Sequence, residues 1–301
     1  MSLFNIGLVL LSSLLHSVWN ILTQTSKNSQ YFSGLKGLWI IVMALAAYGI
    51  FGMAPLNNEI IFWGVLSGII HGVYILCLSR AYSTADLSYV YPIARSAPVF
   101  VPVFAWFLLD ERLSISTFLA IGLILIAIYI LHFEGHLIQG FKNLVEATRH
   151  QDLRWAFITL AMVISYSLVD KKGMDSFLIH LPDHPFANGI TFFFIEATIG
   201  FALCNIYIFV KYPAKYIFQA WRNEWKEAVL AGTATLGSYG LICVVLQFEA
   251  LSAIVSLRQV SVLMVVYWGC WKLKEPFGFQ RLLAGVLILI GVFLIGSDHI
   301  L

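Results

Sequence analysis

Runs of roughly twenty apolar residues recur from one end of this chain to the other, and that recurrence limits the fold more than any motif does. A helix needs about 20 such residues to cross the hydrocarbon core of a bilayer. Composition agrees with that reading. Of 301 residues, 60% are hydrophobic and 11% charged, too little charge to cover a water-soluble chain of this length. The sequence predicts an all-α polytopic membrane protein. Its place is the plasma membrane, or the inner membrane of a Gram-negative source. The run from Leu3 to Leu22 has no basic leader or A-x-A-like cleavage site and contains His16, Trp19 and Asn20. It reads as a first span rather than a signal peptide.

Windows of about 19 residues place ten transmembrane helices near 3–24, 35–54, 60–80, 87–109, 114–133, 154–172, 187–210, 228–248, 251–271 and 279–297. A longer polar segment, 134–153, divides them into five spans (1–133) and five (154–301) and reads as a linker or short interfacial helix. The halves resemble each other. Span four and its flank read "ADLSYVYPIARSAPVFVPVFAWFLLDE", and span nine and its flank read "EALSAIVSLRQVSVLMVVYWGCWKLKE". One shift of 164 positions carries Leu87-Ser88 onto Leu251-Ser252 and Glu111 onto Glu275, and brings Arg95 within one position of Arg258. A span with an early glycine follows each glutamate, Gly122 in one half and Gly285 in the other. An odd number of spans per half turns the second half upside down. The expectation is therefore two inverted five-helix repeats, an architecture common among secondary transporters.

Loop charges bear on orientation. With Lys36 assigned to the first joint, the odd-numbered joints collect thirteen Lys and Arg and the even-numbered ones three. The positive-inside rule then puts the odd joints in the cytoplasm and both termini outside.

Three stretches carry a family resemblance: "HSVWN" at 16–20, "RAYSTADLSYVYPI…P…DERLS…G" at 80–122, and "ALSAIVSLRQV…KEPF…G" in the second half. Together they resemble the EamA-type branch of the drug/metabolite transporter superfamily over nearly the whole chain. The resemblance implies a central cavity worked by alternating access, with cargo among small metabolites, often amino acids or related compounds, and often moved outward. It also implies cytoplasmic termini, the opposite of the charge count.

Arg95 lies within an apolar span, where an arginine costs a few kcal/mol or more unless it faces protein or water. Pro92, Pro98 and Pro102 share its helical face, and each leaves a carbonyl about one turn earlier unbonded. Such carbonyls belong against protein or a hydrated cavity. Tyr91 precedes Pro92 and joins this candidate face. Arg258, with Gln259 and Ser261 beside it, makes the same case from the other half. Two guanidinium groups would favour a carboxylate or phosphate. The resemblance adds that basic residues on helices four and nine hold phosphate in the phosphate-exchanging branch. The structural alternative pairs either arginine with Glu249 or Glu196.

Glu196, in "TFFFIEATIGF", reads as the one carboxylate well inside a span. It is either a proton-coupling group or an arginine's permanent counter-ion. Span one carries a polar stripe of Ser12, Ser13, His16, Trp19, Asn20 and Thr23, which lipid would penalise. His71 stands with Ser67, Gly68 and Tyr74 in span three, and Tyr166 with Asp170 in span six. These histidines and aromatics suit either solute contact or packing. Glu111 and Glu275 fall at helix ends as caps or gate-side ion pairs. Spans five and ten read as peripheral packing helices.

No H-E-x-x-H, G-x-S-x-G, Walker loop or Cys/His metal cluster occurs, and the four cysteines sit singly in apolar runs. The net charge of +2 comes with no basic patch for nucleic acid. The expectation is a non-enzymatic, cofactor-free secondary transporter of a small polar, anion-bearing metabolite, in contact with membrane lipid and open to proton coupling. The substrate-binding candidates are Arg95, Arg258, His16, Trp19, Asn20, His71, Tyr74, Tyr91, Tyr166 and Gln259, with Glu196 for the proton. A flippase for a phosphate-bearing lipid or lipid-linked sugar is one alternative. An intramembrane enzyme or sensor using His16, His71 and Glu196 is another.

Overall fold

In the computed structural model, residues 1–51, 56–84, 93, 96–132, 154–261 and 279–297 are described. They form helices at each of the ten expected places: α1 (Leu3–Thr25), α2 (Ser29–Phe51), α3 (Asn58–Thr84), α4 (Ala97–Leu109), α5 (Ile115–His132), α6 (Arg154–His180), α7 (Pro185–Lys211), α8 (Ala214–Leu246), α9 (Leu251–Leu257) and α10 (Phe279–Ser297). The proposed linker 134–153 lies outside the described residues. So do Tyr91, Pro92, Arg95, Glu275 and the later part of span nine.

The helix starts follow from local chemistry. Orphan N–H groups of a first turn take a side-chain oxygen from just before the helix. Ser2 Oγ accepts from Asn5 N at 3.1 Å, Asn57 Oδ1 from Ile60 N at 2.7 Å, and Ser114 Oγ from Thr117 N at 3.0 Å. Asn28 Oδ1 accepts from Gln30 N and Tyr31 N at 3.0 and 3.1 Å, so α2 begins six residues earlier than hydropathy alone suggested. Proline opens α4 and α7, where its missing N–H costs nothing.

Among the described residues, five helices, α1, α2, α3, α7 and α8, contain windows long and apolar enough to cross a membrane. Large apolar side chains such as Phe107, Phe118 and Phe293 are exposed on the outside of the bundle, as lipid contact requires. Two joints were misread in the sequence. The segment 173–185 is helical as far as His180, so α6 runs well past Asp170. In 211–226, α7 and α8 are separated only by Tyr212 and Pro213, and α8 bends at Glu224. The charges there interrupt the apolar run without interrupting the helix. Trp221 Nε1 donates to Tyr31 O at 2.7 Å, and Lys27 N donates to Glu224 Oε1 at 2.9 Å, tying this first part of α8 to the α1–α2 turn.

Helices from the two halves interleave. α1 packs on α8 and α3 on α6, α3 on α7 and α2 on α8, and α5 on α10 at the periphery. The α3–α7 contact is the closest of these to the chemistry. Gly64, Gly68 and Gly72 recur every fourth residue, and a Cβ on Gly68 would lie 2.8 Å from the backbone oxygen of Glu196. Small residues at this spacing let two helices approach closely where hydrophobic exclusion cannot drive them together.

Candidate functional site

A cavity of about 140 Å³ lies among α1, α2, α3, α6, α7 and α8, with Arg258 entering from the turn after α9. A single water needs roughly 10–15 Å³ of such space, so a small organic solute fits. The lining uses the later half of α1 and α3 and the early half of α2 and α6. The cavity therefore reaches toward the end where Thr23 and Ser29 lie.

The opposite end is tied by polar contacts. Glu111 accepts from Leu251 N at 2.5 Å, from Ser252 N at 3.1 Å and from the Ser252 hydroxyl, which caps α9. Glu249 Oε1 accepts from Ser2 N at 3.0 Å and Asn5 Nδ2 at 2.6 Å. Lys171 Nζ donates to Leu246 O and Asp175 Oδ1, both at 2.7 Å, and Gln247 Nε2 donates to Pro185 O at 2.8 Å.

Three buried groups meet beneath the cavity. Ser67 Oγ lies 2.5 Å from Asp170 Oδ1 and 2.9 Å from Glu196 Oε2. Tyr239 donates its hydroxyl to Asp170. His71 Nδ1 is 3.1 Å from both the hydroxyl and the carbonyl of Ser67, and 3.8 Å from Glu196. Its ring stacks on Tyr166 with centroids 4.0 Å apart. The sequence reading of Glu196 as the one carboxylate well inside a span is corrected here: Asp170 is 0% and Glu196 2% exposed. The span expected at 154–172 left Asp170 two residues from its end, and α6 in fact continues for ten residues beyond it. His71, Asp170 and Glu196 also offer ligand atoms within 4.8 Å of one another, the one set among the described residues able to hold a metal ion.

Two cations line the same cavity, Arg258 and Lys36. Arg258 follows α9 where the helix loosens into a turn, held by Ser13 Oγ at 3.5 Å from its carbonyl and by Ser17 Oγ, which donates to Ser261 O at 3.1 Å. Its Nη2 lies 3.3 Å from His16 Nδ1, and its guanidinium sits over the Tyr239 ring at 5.2 Å. His16 meets Trp19 edge to face with centroids 4.8 Å apart, and Lys36 Nζ stands over Trp19 at 4.1 Å. The sequence offered Glu249 or Glu196 as partners for Arg258. No carboxylate among the described residues lies within 4 Å of its guanidinium.

Of the sequence candidates, His16, Trp19, Asn20, His71, Tyr74, Tyr166, Glu196 and Arg258 line the one cavity. Gln259 lines an adjoining recess with His16, Asn20, Tyr74, Tyr166 and Arg258. Arg95 and Tyr91 lie outside the described residues. Sequence reasoning missed Lys36, Tyr239, Phe193 and Phe201, which also line the cavity. Lys36 had been counted as a loop cation. The signal that would have found it is Asn28, whose capping starts the helix two turns before the lysine.

These features define a polytopic helical membrane protein with a solute-sized internal cavity, two cations and a carboxyl pair. Residues 3–133 match the model of the EamA-like transporter family. A crystal structure aligns over 99% of both chains with a TM-score of 0.71 at 14% identity, a likeness of fold alone. No curated protein sequence matches the chain. The first part of the chain is thus similar to EamA-like transporters, and the whole chain shares its fold with a solved structure.

Proposed function

We propose that this chain is a gradient-driven secondary transporter of a small solute bearing an anionic group, such as an amino acid or other carboxylate, worked by alternating access between two inverted five-helix repeats. The observation that carries the reading is Arg258, which lines the cavity without a carboxylate partner among the described residues. A half-buried guanidinium that faces the cavity with no carboxylate within 4 Å among the described residues favours an anion arriving from outside. Helix pairing supports the repeat. Exchanging each helix for its counterpart in the other half turns the α1–α8 contact into α6–α3, and α3–α7 into α8–α2, and all four contacts exist. The Asp170–Glu196 pair supplies a place for a coupling proton. Outward movement is the direction the resemblance favours.

The test is flux in proteoliposomes with amino acids, organic acids, phosphate esters and amines as cargo, driven by an imposed pH gradient. Anions should move, and Arg258→Ala should abolish that movement while the protein remains folded. Transport at the wild-type rate by Arg258→Ala would remove the anion reading. Movement of lipid alone would favour the flippase.

A second reading, an intramembrane enzyme or sensor, draws on the approach of His71, Asp170 and Glu196 within 4.8 Å. One carboxylate oxygen pair and one imidazole form a ligand set suited to a divalent transition metal. Stoichiometric zinc retention lost in His71→Ala, with product formed and no vectorial movement, would select it.

A further inference from the structure

Lys36 is 4% exposed, and its amine points into the cavity. The contacts of that amine are two rings, Trp19 at 4.1 Å and Phe201 at 5.8 Å. No carboxylate or hydrogen-bond acceptor among the described residues reaches it. An ammonium carries three donors and a full charge, and burial without acceptors is costly. A cation–π contact offsets only part of that cost. Arg258 differs, because it has His16 Nδ1 at 3.3 Å and reaches the carboxyl pair through Tyr239. Of the two cavity cations, Lys36 has the greater unmet demand.

The surroundings of the amine restrict what can meet it. Trp19 and Phe201 present ring faces and Gly200 a bare backbone, while Gly37, one residue after the lysine, lies directly against the Phe201 ring. A phosphate dianion brings several strongly solvated oxygens and demands several donors. Ser33 and Asn20 also line this end of the cavity, but what the amine itself meets is two rings, which suits a single carboxylate on a flat apolar body.

Resting on the transporter reading above, we propose that Lys36 holds the carboxylate of an aromatic or similarly flat organic acid, whose body lies against Trp19 and Phe201. Lys36 is then the residue that selects acid over amide, while Arg258 serves the cavity from the side of the carboxyl pair.

The test is binding to purified full-length protein, read by titration calorimetry and by melting temperature. The probes are phenylacetate, its neutral counterpart phenylacetamide, and inorganic phosphate. Phenylacetate should bind wild type at least tenfold more tightly than either of the others. Lys36→Met should weaken phenylacetate tenfold or more and leave phenylacetamide unchanged, while Lys36→Arg should stay within a few fold of wild type. Methionine fills a similar volume without a buried charge, so the variant should fold. If it does not, the acid-to-amide ratio in wild type and in Lys36→Gln decides the matter. Equal binding of phenylacetate by wild type and Lys36→Met overturns this inference and leaves the transporter reading standing. Phosphate bound in preference to phenylacetate overturns the aromatic acid. A wild type that binds no anion overturns both.

Discussion

Asp170 and Glu196, carried by α6 and α7, meet on one hydroxyl, that of Ser67, at 2.5 and 2.9 Å. A serine has one hydrogen to donate. The second contact needs a proton supplied by its partner, so the cluster holds one, and the proposed coupling would have it released. Glu196→Gln keeps the shape and removes that exchange. Gradient-driven flux should fall at least tenfold, while exchange of labelled for unlabelled cargo across the membrane persists. Wild-type gradient-driven flux in this variant would take Glu196 out of coupling.

Tyr239 joins the two charged sides, because its hydroxyl serves Asp170 and its ring carries Arg258. Tyr239→Phe keeps the ring and leaves a buried carboxyl short of a donor, at a cost of about 1–3 kcal/mol. A lower melting temperature with cargo binding retained is the expected outcome. Lost binding with unchanged stability would mean that the hydroxyl touches cargo instead.

Gly68 allows α3 to reach α7. An added Cβ would stand 2.7 Å from Ile199 Cβ and 2.8 Å from the Glu196 carbonyl oxygen. Backbone cannot yield as a flexible side chain does, so Gly68→Ala should cost about 1–3 kcal/mol by overpacking. It should also displace Ser67 from the carboxyl pair. Gly7, with nothing within 4 Å of its added Cβ, is the control: Gly7→Ala should leave the melting temperature unchanged or raise it.

Glu111 binds the α9 start through two backbone N–H groups and the Ser252 hydroxyl. Losing an N-cap costs about 0.5–2 kcal/mol. Glu111→Ala should therefore loosen the closed end, seen as faster thiol labelling of a cysteine placed at Ser252 while the cavity-side labelling rate stays constant. Equal labelling with and without the glutamate would make that contact irrelevant to closure.

Much of this architecture was readable in advance, because lipid enforces a simple rule on apolar run length. All ten helix positions follow from it. What misled was charge. Lys171 and Lys172 were counted toward the following joint, which left Asp170 near a span end, although Lys171 pairs with Asp175 and donates to Leu246 O within the bundle. Lys36 looked like a loop cation, although Trp19 shelters it. The polar stripe of α1 was legible as an inward face, and Ser12 and Ser13 are fully buried. Which helix each polar residue would meet was not legible, since those contacts depend on close approaches such as Gly68 against Glu196, which periodicity does not encode.

The separation of the tied end from the cavity end has a pharmacological consequence. If the proposed alternating access holds, a molecule that enters past Thr23 and Ser29 and wedges between the rings would brace the bundle against opening of the Glu111 end. It would compete with cargo offered from its own side of the membrane. Toward cargo offered from the other side it would lower the maximal rate without changing half-saturation. Inhibition kinetics measured from both sides of an oriented vesicle would thus report which compartment the cavity faces.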